Sequence, residues 1–343
     1  MKSNNLNTYK PIFIGGCQRS GTTLLGAMLG SHPERITTPE TQFKLDIIKL
    51  LRDNEIDDTA TFWKYFDFIE QHFRFQIWGV AALKEDLRVR MNQNKLISYR
   101  GLIHWFVEKY GEQKLNKTAA NTWVDHSPFN IQNAELILPY YEDATFIHII
   151  RDGRAVLNSY FNLDWAANTA SHGAKIWQAE IIKNLRGEKF IPKDKLYHVR
   201  FEDLVSKPKA TLQRLCDKVG IEYIDEMIAA KDFIAPTYTV KQHAAIGGEL
   251  KSQKNETWKQ SLSKREIEIF EYGAGDTLEK LGYVLVQSNP RPPNMWENYW
   301  ADRREKKQVI KKRKENKSRK IFGLEEGKKE REEYLEFLKK CNI

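Results

Sequence analysis

Cysteine is scarce in this chain of 343 residues: Cys17, Cys216 and Cys341 are far apart and odd in number. They offer neither a disulfide framework nor the short spacings of cysteine metal motifs. Long apolar runs are missing as well. No stretch approaches the length of a membrane span, and the opening MKSNNLNTYK is polar, without the apolar core of a secretory signal. The expectation is a reducing, cytoplasmic setting, in which the glycosylation-type triplets at Asn116, Asn255 and Asn316 count as chance. No internal repeat is evident. Acidic residues number 46 against 55 basic ones, a net charge of +9. That balance suits acidic ligands in general, whether nucleic acid, a membrane surface or a phosphorylated nucleotide, and separates none of them. The remaining composition, 41% hydrophobic and 12% aromatic, belongs to a globular protein long enough to bury a sizeable core.

The stretch from Pro11 to Pro33, PIFIGGCQRSGTTLLGAMLGSHP, organises the rest. Ile12-Phe13-Ile14 reads as a short strand, Gly15 to Thr23 as a glycine-bounded loop, and LLGAMLG as a tightly packed helix. A strand, such a loop and a helix N-terminus together form an anion cradle of backbone N–H groups and helix dipole. Gly16 and Gly21 have the spacing of a nucleotide P-loop, but Thr22-Thr23 stands where that loop carries Lys-Ser/Thr. The lysine for β/γ-phosphates is lacking, and Arg19 is the loop's one cation. The expected ligand is an anion held by Arg, hydroxyls and amides, with no obligatory metal.

CQRSGTTLLGAMLGSHP resembles the 5′-phosphosulfate loop of sulfotransferases that use 3′-phosphoadenosine 5′-phosphosulfate (PAPS), nearest the tyrosylprotein and carbohydrate branch. The resemblance implies that Gly16, Arg19, Ser20, Gly21, Thr22 and Thr23 bind the 5′-phosphosulfate. It also marks a departure, since the Golgi members carry a membrane anchor.

Thr38 reads as a helix N-cap with Pro39 at the first helical position, which puts Glu40 in the first turn. There a carboxylate is favoured by the helix dipole alone. The second reading is a general base toward an acceptor hydroxyl. Tyrosylprotein sulfotransferases place their base glutamate in a similar Glu-Thr pair at the same distance beyond the loop arginine. From Ile56 to Tyr110 the chain reads as aromatic-rich helices, either core packing or an acceptor wall. Thr122 to Asp125 reads as a second strand, and His126 falls just past its C-terminal end, where ligands gather in open α/β sheets. His126 is either structural or catalytic. The corner is similar to the family position where Lys, in tyrosylprotein enzymes, or His, in cytosolic ones, stabilises the departing bridging oxygen. Whether Glu40 or His126 would be the base stays open.

Ala144 to Ile150 is a nearly continuous apolar run, as in a parallel strand buried on both faces, and Arg151 follows it. Asp152 at the strand end could imitate a Walker B acid, but Arg151 argues for an anion contact. Arg151 and Ser159, eight residues apart, resemble the family's 3′-phosphate motif; a guanidinium fork suits phosphate oxygens and a hydroxyl adds a donor. Arg154 reads as a surface charge or a support. Leu196 to Arg200 reads as another strand leading into FEDLV, which resembles the family's Tyr-Glu-Asp-Leu element with Phe201 in place of tyrosine, so only stacking carries over. HAAIGGELKSQKNETWKQ resembles the late nucleotide loop, with Ser252, Lys254 and Lys259 as candidates for the phosphates and Ser252 also for the leaving group; a solvated basic loop is the alternative.

The fold expected is α/β, a P-loop-like three-layer arrangement with a short central parallel sheet flanked by helices, its strands at residues 11–15, 122–125, 144–150 and 195–200. The organisation expected is a polar tail over 1–10, one sulfotransferase domain over 11–290, and a charged helical extension over 291–343. That extension reads as a solvated helical or disordered tail, with an oligomerisation arm or a basic patch for an acidic acceptor, membrane or nucleic acid as the alternatives. The resemblance implies sulfuryl transfer from PAPS to a hydroxyl or amine, with 3′,5′-ADP released. The residues themselves lead to the expectation of no transmembrane segment, and the ordered anion motifs to that of no nucleic acid. The acceptor, whether sugar, tyrosyl peptide, lipid or small phenol, is not legible. A P-loop kinase or NTPase using magnesium nucleotide is the alternative.

Overall fold

Ile12–Gly15 forms β1, buried on both faces, at the centre of a five-stranded sheet in the computed structural model. The structure describes residues 10–51, 56, 58–81, 84–94, 98–118, 120–163, 166–230, 234 and 256–318. The other strands are β2 (Arg35–Thr37), β3 (Thr122–Asp125), β4 (Thr145–Ile150) and β5 (Leu196–Arg200), in the order β2-β3-β1-β4-β5 with every pairing parallel. The four strands expected from the sequence are present, within a residue of their expected starts. The three-residue edge strand β2 was not expected. Its Ile36 pairs with Trp123 of β3, and a short strand containing Arg35 carries too little apolar alternation to be read alone.

Side chains alternate across the sheet. On one face Ile12, Ile14, Val124, Ile147, Ile149 and Val199 pack against α1 (Thr22–Gly30) and α11 (Pro208–Val219), with α10 (Phe201–Ser206) and α12 (Glu226–Ala229) beside them. On the other, Phe13, Trp123 and Phe146 meet α2 (Gln42–Leu51), α3 (Thr59–Gln71), α4 (Phe73–Gln76), α5 (Lys84–Asn94) and α6 (Tyr99–Tyr110) in an aromatic core. Within it Phe66 stacks on Phe106 at 5.2 Å between centroids. The aromatic stretch is thus largely interior, its rings spent on packing. Further along that face Ile150 packs with α8 (Gly153–Phe161), α9 (Ala170–Gly187), α13 (Trp258–Ser261) and α14 (Lys264–Lys280). These are the three layers expected.

Local signals set several boundaries. Asp152 caps α8 by accepting from Arg154 N, Pro208 opens α11 and left-handed Gly220 closes it, and Ser263 with Glu266 forms a capping box on α14. FNIQNAELILPYY forms two 3-10 turns around the single-turn α7 (Ala134–Ile137), with Pro139 in the second turn. Helix α15 (Met295–Ser318) is held to the domain by Arg265–Glu297 at 2.7 Å and by Glu305 accepting from Asn168 N at 2.8 Å. The tail from 319 on lies outside the described residues. Among the described residues no helix is long and apolar enough to cross a membrane.

Candidate active site

The loop between β1 and α1 turns where Ser20 N donates to Cys17 O at 3.1 Å, with Arg19 at φ 69°. Gly21, at φ 98°, begins α1, whose first turn has no side-chain cap and no acidic residue. Its N–H groups and the positive end of its dipole are therefore left to a ligand or solvent. Ser20 and Thr22 are buried and Thr23 is half-buried. Burial raises the Cys17 thiol well above its ordinary pKa, with the Glu180 carboxylate adding to it, so this loop cysteine is a poor nucleophile. Glu180 of α9 also accepts from Gln18 N at 2.9 Å.

Three strands later in sequence but next to β1 in the sheet, β4 delivers Arg151 to the same place. Its Nη1 donates to the Arg19 carbonyl at 2.8 Å, and Arg19 Nε donates to Ser159 Oγ at 3.1 Å. The structure thus brings together Arg19, Arg151 and Ser159. Arg151 lies over the Phe201 ring at 4.2 Å, and its buried Nε has no hydrogen-bond partner among the described residues. Burial lowers its pKa to about 10, and the Arg19 guanidinium adds to this against the opposing Glu202 carboxylate. Both arginines stay charged at neutral pH. A half-buried cation with a free donor among the described residues, next to a second cation and a helix N-terminus without a side-chain cap, fits a multiply charged anion. The Phe201 ring that carries Arg151 also closes over Gly21.

Glu202 is a support: it accepts from Asp152 N at 2.9 Å and from the Tyr283 hydroxyl at 3.2 Å. Arg154 is not a surface charge. It is buried, paired with Asp152 at 2.7 Å and Glu271 at 2.6 Å, and stacked over Trp258 at 4.3 Å. Its carboxylate partners come from its own cap and from α14, the second of which the sequence could not indicate.

Glu40 lies in the connection between β2 and α2, before the helix rather than in its first turn. Thr38 does not cap α2; its Oγ1 accepts from Trp123 Nε1 at 3.1 Å, and Thr41 N donates to Ser127 Oγ at 3.0 Å. These bonds to β3 and the turn after it tie residues 38–41 outside the helix, which starts at Gln42. Glu40 is 27% exposed, accepts from Gln42 Nε2 at 3.0 Å, and has Arg74 Nη1 at 4.0 Å. His126 is buried with its Cβ against Gly26 of α1. Burial lowers its pKa, with Glu40 and Asp125 opposing, so the two candidate acid–base residues feel each other's charge.

Beneath them lies a pair the sequence reading did not single out. Lys44 Nζ and Asp125 Oδ2 are 2.6 Å apart and fully buried, and the ammonium also donates to Asn130 Oδ1 at 2.8 Å and sits 4.0 Å over the Phe13 ring. Burial works to raise Asp125, but Lys44 and hydrogen bonds, Ser127's among them, hold it down at about 2. Asp125 Oδ1 also accepts from Ser127 N and Oγ, so the pair fixes the turn that carries His126. A lysine inside QFKLDIIKLL and an acid ending a strand were the available signals.

Lys259 is exposed and paired with Glu256 at 2.5 Å. Ser252 and Lys254 lie outside the described residues.

Residues 11–225 match the family model described as the sulfotransferase family. The chain belongs to the sulfotransferase family. It is 25% identical over 228 residues to protein-tyrosine sulfotransferase A of Caenorhabditis elegans, covering 65% of this chain and 53% of that protein. Against the protein-tyrosine sulfotransferase of Drosophila melanogaster the figures are 24%, 65% and 40%. This sulfotransferase-family chain therefore spans about half or less of the length of those relatives. The sulfotransferase domain from the Synechococcus PCC 7002 olefin synthase shares the fold, with a TM-score of 0.53 and 20% identity over 81% of this chain and 96% of that one.

Proposed function

We propose that this protein transfers a sulfuryl group from PAPS to a hydroxyl or amine of an acceptor and releases 3′,5′-ADP. The observation that carries this reading is Arg151, a half-buried cation whose buried Nε has no hydrogen-bond partner among the described residues, tied through Arg19 to Ser159 at the glycine loop. When bound, PAPS supplies the activated sulfuryl group with 3′,5′-ADP as its leaving group.

Arg19, the loop amides and the hydroxyls of Ser20, Thr22 and Thr23 would hold the 5′-phosphosulfate, and Arg151 with Ser159 the 3′-phosphate. The protein's contribution is positioning and charge stabilisation, as in phosphoryl transfer. Glu40 would take the acceptor hydroxyl proton at its carboxylate, and bound PAPS would supply the sulfuryl group that the acceptor oxygen receives. His126, kept neutral by burial, serves as a hydrogen-bond donor to the departing oxygen rather than as a second cation. The names of the curated relatives make a tyrosyl peptide the first acceptor to try.

Thermal unfolding with 3′,5′-ADP, with 5′-ADP plus magnesium, and with no ligand tests the reading. A ligand at about 100 times its dissociation constant adds roughly 2.7 kcal/mol. Stabilisation by 3′,5′-ADP without magnesium, lost in Arg151→Ala, is expected. Stabilisation only by 5′-ADP with magnesium would replace the reading with a kinase.

A further inference from the structure

At the β4–β5 edge of the sheet, three side chains from three separate elements converge away from the glycine loop. His148 of β4 and His198 of β5 are register partners, so both project to the same face, and their ring centroids are 5.9 Å apart. Glu188, directly after α9, inserts its carboxylate between them: Oε1 is in hydrogen-bond contact with His148 Nδ1 and lies 2.8 Å from His198 Nε2. One donor atom from each residue falls within 4.8 Å of the other two.

We propose that His148, Glu188 and His198 form a binding site for a divalent transition-metal ion of the zinc class, a site separate from the sulfuryl-transfer machinery. Two imidazole nitrogens and one carboxylate oxygen are the donor set of three-ligand zinc sites that leave a fourth position to water. Calcium and magnesium take oxygen donors and have little use for two imidazoles. The access is graded in a way that serves an ion. His148 is fully buried, the Glu188 side chain is 15% exposed, and the His198 side chain is 50% exposed, so an ion can enter from solvent and keep a water.

The position gives the ion a structural task. His148 stands three residues before Arg151, and His198 three before Phe201, on whose ring Arg151 rests. A bound ion joins the two strands that deliver this stacked pair to the end of α9, whose Glu180 holds Gln18 N. Sequence gives no hint of it, because 148, 188 and 198 form no ligand motif.

The test uses the full chain, stripped with a chelator, equilibrated with zinc and passed over a desalting column. Metal content, thermal unfolding and the visible spectrum of the cobalt-substituted protein are read for the wild type, His198→Ala and Glu188→Gln. His198 is half-exposed and Glu188→Gln keeps the side-chain volume, and circular dichroism checks that both variants fold. The expected result is one zinc per chain, a zinc-dependent rise in melting temperature that magnesium does not give, and an intense low-coordinate cobalt spectrum, all lost in both variants. No retained metal in the wild type overturns the proposal. So does retention or a cobalt spectrum that survives in either variant, or an equal shift with magnesium.

Discussion

Arg151 makes the sharpest residue-scale prediction because its fork, not only its charge, is placed. Arg151→Lys keeps a cation but loses the planar fork and its flat contact with Phe201. Losing one charge-assisted hydrogen bond costs about 1.5–3 kcal/mol, so 3′,5′-ADP should bind roughly 10- to 100-fold more weakly by titration calorimetry. Glu40 gives a different signature. Glu40→Gln should lower kcat by about 10²–10⁴-fold while leaving 3′,5′-ADP affinity unchanged; unchanged kcat in a tyrosyl-peptide assay would remove Glu40 as the base. Lys44 concerns stability. Lys44→Met strands the buried Asp125 carboxylate and should cost about 3–5 kcal/mol in urea unfolding, whereas Lys44→Met with Asp125→Leu should recover part of it. Of these residues the sequence singled out Arg151 and Glu40, which sit in recognisable local patterns. Lys44 and Asp125 escaped because each is unremarkable in its own segment, and only burial 81 positions apart makes them a pair.

At the scale of an element, the β1–loop–α1 unit owes its shape to two glycines with different neighbours. A Cβ at Gly16 would fall 2.3 Å from the Ile149 carbonyl oxygen, at φ 155°; one at Gly21 would fall 2.4 Å from Phe201 Cδ2, at φ 98°. Backbone cannot give way as a ring can. Gly16→Ala should therefore destabilise the fold more than Gly21→Ala, and Phe201→Leu should rescue part of the Gly21→Ala loss and none of the Gly16→Ala loss. Urea midpoints of the four variants decide it, and equal rescue would contradict the geometry. This unit was legible because strand, loop and helix follow one another within twenty residues. The start of α2 was not. Thr38-Pro39-Glu40 satisfies every local rule for a helix start, yet Trp123 and Ser127, from β3 and the turn after it, take the hydrogen bonds that would have built the first turn.

Across the whole molecule, acid stability draws on two of the carboxylates held at about 2, Asp125 by Lys44 and Glu188 by its histidines, each against the opposing effect of burial. Their unfolded values lie near 3.9 and 4.3. A depressed carboxylate stabilises the fold fully above its unfolded value and loses that contribution as pH falls through its folded value. The contribution of these carboxylates should therefore be level above about pH 5 and decline steeply toward pH 2, by about 2–3 kcal/mol for a shift of this size at one group. It comes on top of an earlier loss below about pH 6.5 from the buried His126 and His148, which protonate more readily in the unfolded chain. The decline should be shallower in Asp125→Asn, which has already lost its share. A urea midpoint that is flat from pH 5 to pH 2.5 would contradict the ionised pair. The sequence by itself determined the parallel sheet, the glycine loop, the Arg151–Ser159 element and the family, since each is written within one or two neighbouring elements. Tertiary structure decided which charges are buried together. It placed Lys44 on Asp125, Arg154 between α8 and α14, and Glu188 between two strands, because those partners meet only when helices close over the sheet and exclude the water that would otherwise solvate them.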